Sequence, residues 1–391
     1  MSKPAKYLLV SLPASITPSG HRDEALEALQ ATVGREGATA PFAVPGFKIG
    51  TLDALVQQAD ELAKLNNVCE AVVAKVGESL RSIFDGDEQK ASEHKTINDK
   101  PVDAYLRSFQ WNKAKYRADK TIAELIDGLQ REINGLDNDV KAKFNQYNSI
   151  KTNLAASQRR QTGNLATRSL ASIVPPDAVI RDSEYLETHL IAVPNALTKE
   201  FLKTYESLAP MVVPRSATEI TADDEFKLYA VTTFKKTAAE FVHKCREKRW
   251  TPRDYTYVEG GGEEEAREVA SLEREAQKVW GEALRLGRTG YSESAQVLVH
   301  VLALRVFVET VLRYGLPLDF ICGLVETTPK AAKKVKSNLD NNYSSLGGNA
   351  FTRDKRGKVV ADDQALTAEI QAATHGGDEY TAYVYYEFEI A

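Results

Sequence analysis

The sequence predicts a mainly helical α+β protein, and three observations support that fold class. No proline lies between Pro101 and Pro175, and apolar residues recur there in steps of three and four, which indicates a long helix. A second proline-free stretch runs from Arg253 to Leu316 and is helical in pattern, though loosened by three glycines. Short segments near both ends and in the middle of the chain are typical of strands.

The first helical stretch predicts an elongated molecule. A helix from about Val102 to about Arg160 would be roughly 90 Å long at 1.5 Å per residue. A compact chain of 391 residues has a diameter of roughly 55 Å. Because the helix cannot fit inside such a sphere, we expect a dumbbell with separate masses at its ends. That shape suits a strut better than an enzyme.

The N-terminal region predicts one strand, a turn-rich segment and one helix. The strand covers Tyr7 to Leu12, and the helix runs from an N-cap at Thr51 to about Phe84. The segment from Asp85 to Asp99 is polar and indicates a loop or partly disordered chain. The apolar stripe expected to face inward comprises Leu52, Leu55, Val56, Leu62, Leu65, Val72 and Val76.

The middle of the chain changes character after Pro175 and Pro176, which break the helix. Strand and helix patterns then alternate, which is typical of a small α/β or α+β domain at about residues 165–260. The predicted elements are a strand at Leu190 to Val193, a helix at Thr198 to Leu208, a strand at Phe226 to Thr232, a helix at Lys235 to Lys248 and a third strand around Tyr255 and Tyr257.

The C-terminal segment from Tyr380 to Ile390 alternates between apolar and more polar residues, which predicts a half-buried strand. Such a strand needs partners, and the N-terminal strand is the obvious candidate, so both chain ends should meet in one domain. The two long helices should run antiparallel. Gly315, followed two residues later by Pro317, should end the second of them. We therefore predict a foot from 1–100 and 317–391, a neck helix at 101–164, a head at 165–260 and a returning neck helix at 261–316.

Composition indicates a soluble globular protein without an extreme charge. A formal net charge of −5 gives no reason to expect general binding to nucleic acid or to an anionic membrane. Cys69, Cys245 and Cys322 are far apart and lack zinc spacing, so we expect reduced, partly buried thiols in a cytosolic protein. The apolar run from Val297 to Leu312 is short and interrupted by charges, so we expect a buried helix and no direct membrane insertion.

Motifs for catalysis and cofactors are absent from the sequence. It contains no P-loop, GxSxG elbow, HExxH or EF-hand loop, and we predict no catalytic, cofactor-binding or metal-binding residue. His300 lies on an apolar helix, so we expect a core or interface histidine. Arg305, Glu309 and Arg313 could face a partner, but the polar stripe of a buried helix is the favoured interpretation.

One charge pattern suggests a protein interface. Between Val140 and Pro176 there is no Asp or Glu. A positive patch there could dock an acidic helical partner, although a solvated helix end favoured by the macrodipole explains the charges equally well. Nucleic acid is a weaker hypothesis, because no aromatic stacking set accompanies the charges. The proposed interface residues are Lys151, Arg159, Arg160 and Arg168.

Several sequence motifs also resemble those of the C subunit of the eukaryotic vacuolar-type proton ATPase (V-ATPase). They occur in the family's order across almost the whole chain, but the segments at 85–99 and 259–268 do not look typical of the family. The motifs are Phe47 to Asp53 (FKIGTLD), Phe109 to Trp111 (FQW), Lys151 to Ala156 (KTNLAA), Ala303 to Val306 (ALRV), Leu312 to Pro317 (LRYGLP) and Leu346 to Phe351 (LGGNAF).

The resemblance implies a non-catalytic stator protein without cofactors, shaped as foot, neck and head. It implies that the head binds one E–G peripheral stalk, and that the foot binds a second E–G stalk and the N-terminal cytosolic domain of the membrane-embedded a subunit. It also implies reversible release, a monomer when isolated, and a cytoplasmic protein peripheral to the cytosolic face of vacuolar or other endomembranes. Actin and nucleotide binding are associated with the family, but no motif here supports either.

Two alternatives remain open at the level of sequence. One is an enzyme with a site between head and neck, although no histidines or acids are paired at suitable spacing. The other is a helical scaffold for cytoskeleton or trafficking, which would self-associate through an exposed apolar seam.

Overall fold

A computed structural model describes residues 6–316, 318–353, 359–361 and 381–390. The helices are α1 (Arg22–Val33), α2 (Leu52–Ile83), α3 (Glu88–His94), α4 (Val102–Arg107), α5 (Ile122–Thr162), α6 (Thr198–Leu208), α7 (Ala238–Glu247), α8 (Gly261–Tyr314) and α9 (Pro329–Tyr343). The strands are β1 (Lys6–Pro13), β2 (Gly37–Pro41), β3 (Leu186–Pro194), β4 (Thr218–Ala222), β5 (Phe226–Phe234), β6 (Thr251–Arg253), β7 (Phe320–Thr327), β8 (Phe351–Arg353), β9 (Val359–Ala361) and β10 (Val384–Phe388).

The predicted fold class is confirmed, because long helices dominate and the strands form small antiparallel sheets. The chain divides into two compact units. Unit 1 comprises Met1–Phe144 and Glu282–Ala391, and unit 2 comprises Asn145–Gly281. Each unit has its own four-stranded sheet.

The sheet of unit 1 has the strand order β10-β1-β7-β2. β1 pairs with β10 in antiparallel register, with Leu9 opposite Tyr386, so the predicted pairing of the two terminal strands is confirmed. Tyr380, the start of the predicted strand, lies outside the described residues, as does Pro317. α1, α9, β2 and β7 were not predicted from the sequence. One face of the sheet packs against α1 and α9 in a core that includes Leu8, Val10, Leu12, Leu29, Val335 and Leu339.

The predicted helix from Val102 to Arg160 is wrong in its first part. α4 ends at Arg107 and α5 begins only at Ile122. The segment between them folds around a buried Trp111, whose Nε1 donates to the carbonyl oxygen of Tyr116 at 2.6 Å. A capping box then starts α5: the N–H of Glu124 donates to Thr121 Oγ1 at 3.3 Å, and the N–H of Thr121 donates to the Glu124 carboxylate at 2.9 Å.

The predicted start of α2 is confirmed, because the N–H of Ala54 donates to Thr51 Oγ1 at 3.3 Å. Most of the predicted inward stripe is buried, but Leu52, the first residue of the helix, is exposed. The segment predicted as a loop contains the short helix α3, whose N-cap Asp87 accepts the N–H groups of Gln89 and Lys90. These bonds hold the pKa of the Asp87 carboxyl below its ordinary value.

The sheet of unit 2 has the strand order β4-β5-β3-β6 and is antiparallel throughout. The predicted strands at 190–193 and 226–232 and the helix at 198–208 are confirmed. The third strand, predicted around Tyr255 and Tyr257, lies instead at Thr251–Arg253. It contains Pro252, which is tolerated because β6 is at the edge of the sheet. The polar strand β4 was missed. Two cores flank the sheet, one including Phe201, Phe241 and Trp250 and the other including Leu165, Leu170 and Leu228.

Two of the three glycines that had suggested a looser helix, Gly287 and Gly290, permit close packing of α8 instead. A Cβ added at Gly287 would lie 2.7 Å from Leu80 Cδ2, and one added at Gly290 would lie 2.7 Å from Val140 Cγ2. α2, α5 and α8 therefore approach closely in unit 1. Length and composition alone would allow α8 to cross a bilayer, contrary to our expectation, but 83% of its most apolar window is buried within the protein.

Candidate docking surface

The four predicted interface residues all belong to unit 2, on the last turns of α5 and the loop that follows. This loop folds back onto the helix end, because the N–H of Gly163 donates to the carbonyl oxygen of Arg159 at 3.0 Å. The N–H of Ser169 donates to the carbonyl oxygen of Arg160 at 2.6 Å. These bonds place the backbone beside Arg168 next to the turn that carries Arg159 and Arg160.

Arg159 and Arg160 are exposed, and neither makes an ion pair with any described residue. Their charges lie in the last turn of α5, where the helix dipole favours cations. The macrodipole explains why two arginines are tolerated there without carboxylate partners. Both guanidinium groups are also available to an acidic partner.

Arg168 is more strongly engaged with its own unit. It is half-buried, and its carbonyl oxygen accepts a hydrogen bond from Arg253 Nη2 at 2.7 Å. Burial raises the pKa of Asp223, but N–H donors from Leu165, Phe226 and Glu225, together with the positive charge of Arg168, outweigh this and hold that pKa below its ordinary value. Arg168 therefore supports the loop under the patch.

Lys151 lies eight positions before Arg159, which corresponds to about 12 Å along the helix axis. Its Nζ lies 5.9 Å from the centre of the Tyr147 ring. The structure thus brings the three arginines into one region at the end of α5 and leaves Lys151 two turns away. Lys143, from the same acid-free stretch, belongs to unit 1 and pairs with Glu282 at 3.0 Å.

Carboxylates border the arginine region within unit 2. Gln158 donates to the Glu273 carboxylate of α8 at 3.1 Å, and Asn164 donates to the Glu225 carboxylate at 2.7 Å. Two carboxylates of unit 2 are therefore hydrogen-bonded to residues that lie close to Arg159 and Arg160 in the sequence. A partner would have to place its acidic groups close to this pair.

An exposed apolar cluster in unit 2 was missed in the sequence analysis. It comprises Tyr185, Met211 and Phe234, all with exposed side chains. Backbone bonds hold the three together: the N–H of Phe234 donates to the carbonyl oxygen of Met211 at 3.2 Å, and the N–H of Lys235 donates to that of Tyr185 at 2.9 Å. Aromatic residues and methionine are enriched at protein interfaces. No sequence signal marked the cluster, because its members are far apart in the chain.

His300 is a core histidine, as predicted. It is buried among Phe109, Trp111 and Tyr116, its Nδ1 bonds the carbonyl oxygen of Gln296 at 2.7 Å, and its Nε2 accepts the N–H of Asn112 at 3.1 Å. Burial lowers the pKa of His300 to about 4, opposed by the bond to Gln296 and the charge of Glu132. The neutral imidazole therefore ties the segment before α5 to α8.

Arg313 and Glu309 form an ion pair at 2.6 Å with little exposure, which supports the favoured interpretation of a polar stripe on a buried helix. Cys69, Cys245 and Cys322 are free and buried, and burial raises the pKa of the Cys69 and Cys245 thiols to about 12. Within the described part of the chain, no group of three or more His, Cys, Asp or Glu side chains could hold a metal ion.

Comparisons with known proteins show the family. The family model that describes the C subunit of V-ATPases matches residues 7–384. The chain belongs to the V-ATPase C subunit family. The predicted resemblance is therefore confirmed, and with it the role of a non-catalytic component; the enzyme and scaffold alternatives have no support.

Individual relatives of the chain are also V-ATPase C subunits. The chain is 38% identical to the V-type proton ATPase C subunit of Saccharomyces cerevisiae, covering 97% of this chain and 96% of that protein. It is 35% identical to the V-type proton ATPase C 1-A subunit of Danio rerio, covering 98% of each. One solved structure is the cytoplasmic N-terminal domain of the V-ATPase I subunit, a homolog of the a subunit. It matches 85% of this chain and 96% of its own length at 13% identity, with a TM-score of 0.33. A similarity this low supports no conclusion.

Proposed function

We propose that this chain is the stator component that links the peripheral stalks of the ATP-hydrolysing sector of a V-ATPase to its membrane sector. The observation that carries the proposal is the family match over residues 7–384, together with 38% identity to a V-type proton ATPase C subunit over nearly the full length of both chains. The proposal extends from family membership to particular partners and surfaces.

In this proposal, unit 2 binds one E–G peripheral stalk through the exposed pair Arg159 and Arg160. The guanidinium groups of Arg159 and Arg160 can each donate two parallel hydrogen bonds to one carboxylate, which suits an acidic stretch of helix. Lys151 and Arg168 contribute less, because Lys151 is two turns away and Arg168 supports the loop. Unit 1 binds a second E–G stalk and the N-terminal cytosolic domain of the membrane-embedded a subunit.

Two or more such contacts on one chain would provide avidity through effective concentration, so loss of one contact would release the protein. The chain would then be a cytoplasmic monomer when released and peripheral to the cytosolic face of vacuolar or other endomembranes when assembled. Actin binding rests on the family resemblance alone. The foot, neck and head division and the dumbbell shape stay predictions, which small-angle scattering of the isolated chain would test.

The experiment that tests the arginine pair compares two full-length double variants. Arg159→Glu/Arg160→Glu reverses the charges of the arginine pair. Lys199→Glu/Lys203→Glu makes the same change in net charge at exposed positions of α6 in the same unit. Binding to purified E–G heterodimer is measured by calorimetry at low and moderate salt. We expect at least a tenfold weaker affinity for the first variant, less marked at higher salt, and little change for the second.

Equal affinities for the two variants would reject the arginine pair as the docking surface. A third variant, Tyr185→Ser/Phe234→Ser, tests the exposed apolar cluster as the alternative surface. Loss of binding in this variant alone would move the interface to the cluster. If the wild-type chain co-elutes with neither E–G heterodimer nor the soluble domain of the a subunit, the stator proposal itself fails.

A further inference from the structure

The helix α9 of unit 1 carries a second concentration of positive charge. It has four lysines within seven residues, and no Asp or Glu lies between Glu326 and Asp340. The apolar side of α9, which includes Val335 and Leu339, is buried in the core beside the sheet. The lysines therefore occupy the other sides of the helix. They are Lys330, Lys333, Lys334 and Lys336.

The lysines on the outer side of α9 are accessible. Lys330 and Lys333 are exposed, and neither forms an ion pair with a described residue. Lys334 is exposed and lies 3.4 Å from the Glu36 carboxylate. Lys336 points to the flank of the helix, where its Nζ lies 5.9 Å from the centre of the Tyr385 ring. The first three lysines thus form one solvent-facing surface.

The surroundings of α9 do not neutralise this surface. Glu36 pairs with Lys334, and the turn that carries it also brings the exposed Arg35 beside the helix. Other carboxylates near α9 are already engaged. Glu387 and Glu389 pair with Lys6, and Asp340 accepts the O–H of Tyr383 at 2.8 Å. The resulting lysine face comprises Lys330, Lys333, Lys334 and Arg35.

The composition of the lysine face favours a membrane surface as its partner. Lysine is depleted at protein interfaces, where arginine and aromatic residues are enriched. The exposed positions of α9 include no aromatic side chain on which nucleic acid bases could stack. Clusters of Lys and Arg on an amphipathic helix are typical of surfaces that bind anionic lipid headgroups. An ammonium group acts there as a point charge and needs no fixed partner geometry.

The acidic net charge of the chain does not oppose such binding. At physiological ionic strength the Debye length is about 8 Å, so exposed charges farther away are largely screened. A membrane would therefore respond to the local charge of the lysine face rather than to the net charge of −5. Because the apolar side of α9 is buried in the core, the contact would be electrostatic and reversible by salt.

We propose that the lysine face of α9 binds the anionic headgroups of a membrane surface, without insertion into the hydrocarbon. Its ammonium groups contact several lipid phosphates at once. The surface lies in unit 1 and is separate from the arginine pair of unit 2. The proposal does not depend on the stator role, because it requires neither an E–G stalk nor the a subunit.

The test measures binding of the full-length chain to lipid vesicles by co-sedimentation at low and moderate salt. The vesicles contain phosphatidylcholine alone or phosphatidylcholine mixed with phosphatidylglycerol, which is anionic and has no amine. Lys330→Gln/Lys333→Gln removes two charges from the lysine face. Lys199→Gln/Lys203→Gln removes two charges from exposed positions of α6 and is the matched control. Labelling of the wild-type chain with an amine-reactive reagent, followed by mass spectrometry, locates the contact.

We expect binding to the anionic vesicles alone, and weaker binding at higher salt. Each lysine near an anionic surface contributes roughly a fivefold gain in affinity, so the first variant should bind at least tenfold more weakly. The control variant should be little changed. Vesicles should also reduce the labelling of Lys330 and Lys333 in the wild type, a measurement that does not rely on the folding of any variant.

Equal binding to the two kinds of vesicle, equal affinities of the two variants, or unchanged labelling of Lys330 and Lys333 would each overturn the proposal. Protection of these lysines by poly-glutamate, without binding to anionic vesicles, would also overturn it and would assign the lysine face to an acidic protein segment. Protection by duplex DNA alone would assign it to nucleic acid.

Discussion

The two ends of α8 show how one helix can occupy two different environments. From Gly261 to Gly281, in unit 2, Val279 is the one side chain that is fully buried, and charged residues are frequent. From Glu282 to Tyr314, in unit 1, most side chains are buried, including nearly all of the run from Val297 to Val308. The backbone is helical throughout, so the difference lies in what surrounds it.

Packing, rather than helix propensity, therefore decides how much each residue of α8 contributes to stability. The same chemical change should therefore have different effects at the two ends. Four predictions test this difference.

The largest effect is expected from removal of a core side chain. Leu298→Ala, at a fully buried position in the second stretch, should destabilise unit 1 by about 2–5 kcal/mol because it leaves a cavity. Leu272→Ala, at a partly exposed position in the first stretch, should cost much less. Urea unfolding of both variants provides the measurement. Equal losses would mean that the first stretch is packed as tightly as the second.

The second prediction concerns acid stability and His300, in the buried stretch. The pKa of His300 is about 4 in the folded protein and 6.5 when exposed, so the unfolded chain binds more protons between these values. Stability that is present above pH 6.5 is lost as pH falls towards 4, by roughly 3 kcal/mol in total.

The measurement is the difference in pH dependence between the wild type and His300→Gln, which isolates this group from carboxylates that titrate in the same range. The variant should be less stable at pH 7 and should lose less stability between pH 6.5 and 4. Parallel curves would show that His300 is not held neutral by its surroundings.

The third prediction compares two Arg–Glu ion pairs with identical spacing in α8. Arg267 and Glu263 are 81% and 79% exposed, whereas Arg313 and Glu309 are 13% and 12% exposed. Glu309→Gln should cost about 2 kcal/mol because it removes the carboxylate that pairs with a largely buried arginine. Glu263→Gln should have no measurable effect on thermal stability. A similar loss in both variants would contradict the contrast.

The smallest effect is expected from two glycines of the same helix. Gly287→Ala should cost about 1 kcal/mol, because the new Cβ would lie 2.7 Å from a side-chain carbon of the buried Leu80, and the better helix propensity of alanine offsets part of this overpacking. Gly281→Ala meets no atom within 4 Å and should stabilise the helix by up to about 1 kcal/mol. Thermal melts of the two variants should therefore move in opposite directions.

The sequence predicted what depends on local pattern and missed what depends on tertiary contacts. Capping at Thr51, the helix at 198–208 and the terminal strands follow from local pattern, and they were found. The interruption between α4 and α5 was missed because no proline or glycine marks it. The chain leaves the helix there to bury Trp111, which is a tertiary contact. β4 was missed because its residues are polar.

The candidate docking surface was likewise predicted where it depends on local pattern and missed where it depends on tertiary contacts. The acid-free stretch identified Arg159 and Arg160, whose exposure follows from their place at a helix end. It did not reveal that Arg168 supports a loop, nor that Tyr185, Met211 and Phe234 meet at the surface, because these contacts join distant parts of the chain.

The pairing of β1 with β10 also has a consequence for biosynthesis. Leu9 meets Tyr386 across the sheet, so β1 is synthesised long before the strand that pairs with it on this side. At about 5–20 residues per second this delay lasts on the order of 20–75 s. Unit 2 is one uninterrupted stretch of chain and can fold during that interval. We therefore expect nascent chains to protect unit 2 from proteases first, while the apolar face of β1 depends on chaperones until β10 has emerged.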